Sequence, residues 1–151
     1  MSEVHATIDI AAPPHKVWDA VMDPRRLEEW VTIHRRLRRA PEGPAHEGDH
    51  FEQVLSLHGV HFRVRWELDT CKEPVHAHWI GHGPARSHAE IEYHLAAQDS
   101  GTRFDYRNEF RPPLGPLGSL ASRALVRGLP QREADASLQR LKALVEGSGK
   151  Q

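Results

Sequence analysis

One cysteine, Cys71, is all the chain contains. It excludes an intramolecular disulfide and a cysteine-built zinc site, and a reducing, cytoplasmic setting is the expectation. Long apolar runs are also missing. No stretch approaches the ~20 consecutive apolar residues of a membrane span, and Met1 to Asp9 lacks the basic segment and apolar run of an export signal. Neither sign of charge prevails: 20 basic side chains face 21 acidic ones, a formal charge of -1. That balance argues against a general affinity for nucleic acid backbones. Catalytic signatures are absent as well. There is no Gly-x-Ser-x-Gly elbow, and neither Ser87 nor Cys71 has an evident base beside it. No cofactor is expected.

What the sequence does have is pattern. With 151 residues the chain fits one domain, here taken as 1–147 with a frayed tail at 148–151, long enough to bury roughly 70% of its unfolded surface. Val4, Ala6, Ile8 and Ile10 alternate with polar residues and read as a first strand. Pro13-Pro14 opens a short helix carrying Val17, Trp18 and Val21 inward. Asp23 then caps a second, with Pro24 at its first position and Leu27 and Trp30 on one side.

Residues 48–112 alternate with period two. Ser56-Leu57-His58-Gly59-Val60-His61 puts a two-residue loop between two strands, which sets Leu57 against Val60, Leu55 against Phe62, Gln53 against Val64 and Phe51 against Trp66. The turn at Asp99-Ser100-Gly101 sets Leu95 against Phe104 and Tyr93 against Tyr106. Slipping either hairpin by one residue would turn these aromatics to water, so the registers are strongly specified. Between them lie strands at Val75 to Trp79 and Arg86 to Ala96, with Gly81 to Pro84 as the turn.

From Leu114 to Glu146 apolar residues recur at three- and four-residue spacings: Leu117, Leu120, Ala121, Ala124, Leu125, Leu138, Leu141 and Val145. The reading is a long amphipathic helix, kinked or broken at Gly128 to Pro130, whose stripe lies on the concave face of the sheet.

Ile8-Asp9-Ile10-Ala11-Ala12-Pro13-Pro14, then Val17-Trp18, Val21, Asp23, Arg26 and Trp30, resemble the opening of the START-like (SRPBCC) superfamily, in its polyketide cyclase/dehydrase branch. Gly101-Thr102-Arg103 before a strand and the long terminal helix fit the same resemblance, which covers most of the chain. It implies an α+β helix-grip fold: a curved antiparallel sheet of about six to seven strands wrapped around a long C-terminal helix, with two short helices after the first strand. It also implies an apolar pocket between sheet and helix, in proteins that act as carriers, cyclases or partners of other proteins.

The expected function is therefore binding of a small, largely apolar or aromatic molecule, lipid- or polyketide-like, in that pocket. A cyclase- or dehydratase-type enzyme in the same pocket is the alternative, and a toxin–antitoxin or similar interaction role is a second. A protein partner or homodimer stays open. The expected lining is Trp30, His34, Gln53, Phe62, Val64, Trp66, Trp79, Tyr93, Phe104, Tyr106, Asn108, Leu120 and Ala124. Gln53, Tyr93, Tyr106 and Asn108 carry the most information, because polar groups facing an apolar interior need partners that a ligand can supply. His34 reads either as a proton carrier at the pocket mouth or as a simply hydrogen-bonded side chain.

Twelve histidines are the compositional oddity. His76, His78, His82, His88 and His94 share the outer face with Glu90 and Glu92. A solvated His–Glu surface is the expectation there, and no metal ligand set is assigned. Arg35, Arg36, Arg38 and Arg39 read as the charges of an edge strand that resists aggregation, or as a basic run for an acidic partner.

Overall fold

The computed structural model describes residues 2–111 and 129–148. Strand β1 (Ser2–Ile10) leads into helix α1 (Pro14–Met22), a 3-10 turn (Pro24–Arg26) and helix α2 (Leu27–Trp30). Six strands follow: β2 (His34–Arg38), β3 (His50–Leu57), β4 (Val60–Lys72), β5 (His76–His82), β6 (His88–Gln98) and β7 (Gly101–Arg111). Helix α3 (Gln131–Ser148) comes last. All strand pairs are antiparallel, in the order β1-β7-β6-β5-β4-β3-β2. The first strand thus pairs with the last, leaving β1 and β2 as edges of a curved half-barrel.

Both hairpins hold the registers that alternation dictates. Phe51 is opposite Trp66, Gln53 opposite Val64 and Leu55 opposite Phe62, and Tyr93 is opposite Tyr106 with Leu95 opposite Phe104. The β3–β4 turn needs positive φ at two successive residues, and His58 (50°) and Gly59 (79°) supply it. Register shifts between His34 and Arg36 on β2 and between Leu68 and Thr70 on β4 add the local bending by which a sheet curls.

Gly81 departs from the expected turn. It lies inside β5, opposite Trp66, where a Cβ would come within 2.5 Å of the indole. The strand continues because this residue has no side chain to collide, and the turn follows at Gly83 and the 3-10 residues Pro84–Arg86.

Pro130 precedes the first turn of α3, its carbonyl accepting from the Glu133 and Ala134 amides, so the expected break falls there. The earlier part of the expected helix, from Leu114 to Gly128 with Leu117, Leu120, Ala121, Ala124 and Leu125, lies outside the described residues. Ala134, Leu138, Leu141 and Val145 form the buried stripe of α3. Polar side chains fasten its flank to β1: Gln131 donates to the His5 carbonyl and Lys142 to that of Asp9, each at 2.9 Å, and Glu146 accepts from the Ala11 amide at 2.8 Å. No helix among the described residues is long and apolar enough to cross a membrane.

Candidate functional site: a two-chambered apolar cavity

Alternation along β3 to β7 turns large apolar side chains toward α3, and curvature keeps the two layers apart at their centre. The space left there is about 740 Å³ with its open side included, of which about 80 Å³ is wide enough to admit the centre of a water molecule. Trp30, Gln53, Trp66, Trp79, Tyr93, Tyr106 and Asn108 line it from the sheet and α2, facing Ala134, Ser137 and Leu138 of α3. A second chamber of about 490 Å³, open side included, lies beyond Trp66 and Asn108, between Phe62, Val64, Ser87 and Phe110. Trp66 and Asn108 border both chambers.

The wall of the larger chamber includes no Asp, Glu, Lys, Arg or His among the described residues. Its two phenols are held protonated. Burial pushes the Tyr106 hydroxyl up to about 12 despite its bond with Asn108, and burial, reinforced by Tyr106, raises Tyr93 further. These groups can donate or accept hydrogen bonds but are not bases at neutral pH.

One polar chain runs out of the chamber. Trp66 Nε1 donates to Gln53 Oε1 at 2.9 Å, and Gln53 Nε2 lies 2.9 Å from His34 Nδ1. With the amide oxygen taken by the indole, its nitrogen donates, so His34 Nδ1 accepts and its imidazole is neutral. Burial, opposed weakly by Glu28, holds the His34 pKa below its ordinary value. His34 therefore stands behind Gln53 rather than on the wall of either chamber.

Four buried polar atoms on residues that line this space have no hydrogen-bond partner among the described residues. Trp30 Nε1, Trp79 Nε1 and one end of the Asn108 amide belong to the larger chamber, and Ser87 Oγ to the smaller. The other end of Asn108 meets the Tyr106 hydroxyl at 3.0 Å. Since that hydroxyl can donate or accept, one end of the amide stays unpaired whichever way it is turned.

The loop after α2 closes one side. The Thr32 amide donates to the Ser137 hydroxyl oxygen at 3.1 Å, and the Thr32 hydroxyl donates to Glu133 Oε2 at 2.6 Å, which ties Val31 and Ile33 of the lining to α3. Of the other side chains anticipated from sequence, Phe62 and Val64 border only the smaller chamber. Phe104 is fully buried behind the wall, in edge contact with Trp30. Leu120 and Ala124 lie outside the described residues. Ile91 was not anticipated: it lines the larger chamber between Trp79 and Asn108, and its shared parity with Tyr93 was the available signal. Cys71 sits at the far end of β4, where burial, with Glu73 and Glu47, holds its thiol above the ordinary range.

Comparison with known proteins agrees with this architecture. The sequence model of a family described as "Polyketide cyclase / dehydrase and lipid transport" matches residues 1–146. Toxin Rv0910 of Mycobacterium tuberculosis H37Rv is 25% identical over 127 residues, 83% of this chain and 88% of that protein. Uncharacterized protein Rv1546 of the same strain is 28% identical over 127 residues, 83% of this chain and 89% of the other. Among solved structures, TTHA0849 from Thermus thermophilus superposes with a TM-score of 0.75 at 22% identity, covering 97% of this chain and 99% of its own.

Proposed function

The chain belongs to the polyketide cyclase/dehydrase and lipid transport family, and from that membership and the cavity we propose that it binds a small, flat, largely apolar molecule bearing a few oxygen atoms, such as an aromatic polyketide-like compound. The observation that carries this reading is the set of unpaired polar atoms on an apolar wall. A buried donor or acceptor without a partner costs about 1–3 kcal/mol, so three around one chamber are a standing cost that a ligand can relieve. Two indole N–H groups suit ketone or ether oxygens. The free end of Asn108 suits a hydroxyl or a carbonyl, and the aromatic walls suit a ring system. A plain hydrocarbon tail would leave all three unpaired.

Binding fits the wall better than turnover. A cyclase or dehydratase must move protons, and His34 reaches the larger chamber only through Gln53 while His88 borders only the smaller one. Native mass spectrometry of freshly purified protein, followed by titration with hydroxyanthraquinone, tests the reading. A co-purified small molecule or saturable binding of the probe is expected; neither a bound molecule nor probe binding would overturn it. A second reading is favoured by the relative named a toxin, namely a working protein surface on a filled domain. Its distinguishing result is a stoichiometric protein partner together with a chamber that takes no probe.

A further inference from the structure

The convex face of the sheet carries a second constellation, independent of the cavity. His76 on β5 and His94 on β6 are direct cross-strand partners, and Glu92 lies two residues before His94 on the same face. The two imidazoles stack with centroids 4.4 Å apart and planes 18° from parallel. His76 Nε2 is 4.0 Å from Glu92 Oε1 and His94 Nε2 is 3.6 Å from Glu92 Oε2, and one donor atom from each of the three residues lies within 4.8 Å of the other two.

Those separations are too long for hydrogen bonds. His78, two residues along β5, shows the alternative on the same surface. Its two ring nitrogens are hydrogen-bonded to carboxylates, Asp69 at 3.2 Å and Glu90 at 3.0 Å. His76 Nε2, by contrast, is buried and has no hydrogen-bond partner among the described residues. Arg107, opposite Glu92 on β7, pairs with Glu3 at 3.1 Å and acts on Glu92 through its charge, without a hydrogen bond to it.

Three donors that converge without bonding to one another describe the space around an ion. Nitrogen and oxygen ligands at about 2.0–2.1 Å from a tetrahedral zinc are about 3.3 Å apart. The ion would require the half-exposed His94 ring to leave its stack on His76 and turn well away from parallel, so that its in-plane lone pair points between His76 and Glu92, which also brings the 3.6–4.0 Å separations to that spacing. We propose that His76, Glu92 and His94 form a binding site for a divalent transition-metal ion of zinc's type, with water in the fourth position. Two imidazoles and one carboxylate are a ligand set that zinc accepts. Because two ligands come from one strand and one from the next, the ion fastens β5 to β6 on the side opposite the cavity.

The test uses the full chain without an affinity tag, stripped with chelator and titrated calorimetrically with zinc chloride. One ion should bind, and cobalt should give the visible absorption of a tetrahedral nitrogen–oxygen site. His94→Ala and Glu92→Gln should each weaken zinc binding by at least about tenfold, the lower end of what losing even a supporting partner of a metal ligand costs. His82→Ala, outside the triad, should leave affinity unchanged. Circular dichroism melts in chelator identify any variant that fails to fold, and His94, 52% exposed, is the substitution that spares the core. Failure of the wild type to bind zinc would overturn the proposal. So would undiminished binding in both His94→Ala and Glu92→Gln, or an equal loss in His82→Ala, which would mean diffuse binding by surface histidines.

Discussion

The indole of Trp66 occupies the space that any side chain at position 81 would fill: a Cβ on Gly81 would lie 2.5 Å from the Trp66 ring. The two residues are cross-strand partners on β4 and β5, and this close approach seats the indole over position 81, where Trp66 borders both chambers. Gly81→Ala should therefore cost about 1–3 kcal/mol by overpacking, and Trp66→Ala about 3–5 kcal/mol by emptying the wall. The double variant should cost clearly less than the sum, since removing the indole removes the clash. Additive losses in denaturant unfolding would mean that the two residues do not share one space.

Asn108 separates a chamber that takes a ligand from one that is merely core. It lines the larger chamber and one end of its amide is unpaired, so if a ligand takes up that end, Asn108→Leu should weaken hydroxyanthraquinone binding about tenfold, the ~1.4 kcal/mol of one modest hydrogen bond. Stability should change by no more than about 1 kcal/mol, because only the Tyr106 hydroxyl loses a partner. Calorimetric titration and thermal melts of the two proteins read this out. A stability loss with no probe binding in either protein would count against ligand binding altogether.

Mild acid should loosen the fold. Burial lowers the folded-state pKa of His34 and also that of His76, so the unfolded chain takes up these protons more readily than the folded one. Stability from this source is complete above the unfolded value of about 6.5 and declines as pH falls through it toward the lower folded value. For His34 the cause is local. Protonated Nδ1 cannot accept from Gln53, and turning the amide to compensate would take the acceptor away from Trp66. Urea unfolding at about pH 7.5 and about pH 5.5 should show a smaller difference for His34→Gln than for wild type. An identical difference in the two proteins would remove His34 from the account.

The registers could be read from sequence because alternation and turn chemistry act locally: His58-Gly59 fixes one hairpin, and shifting Phe51 or Trp66 by one residue would expose it. Gly81 could not be read that way. Its place inside a strand is decided by an indole 15 positions earlier, a long-range contact that resembles turn punctuation in one dimension. The position of His34 behind Gln53 likewise depends on the register shift at His34 and Arg36, which alternation alone does not reveal. For the outer histidines parity gave a shared face. Whether they bond to carboxylates, as His78 does, or stand apart, as His76 does, is a matter of rotamers that no sequence pattern encodes.

The bonds from Gln131 to the His5 carbonyl and from Lys142 to the Asp9 carbonyl have a further consequence, for self-association. β1 is an edge strand, and an edge with free carbonyls is a template on which another chain can add a strand. Side chains of α3 already occupy two of these acceptors, so an incoming strand would first have to displace the helix. At the opposite edge, Arg35, Arg36 and Arg38 on β2 would repel a second copy of the same edge. The half-barrel is thus protected against fibre growth by side-chain capping at one margin and by like charge at the other.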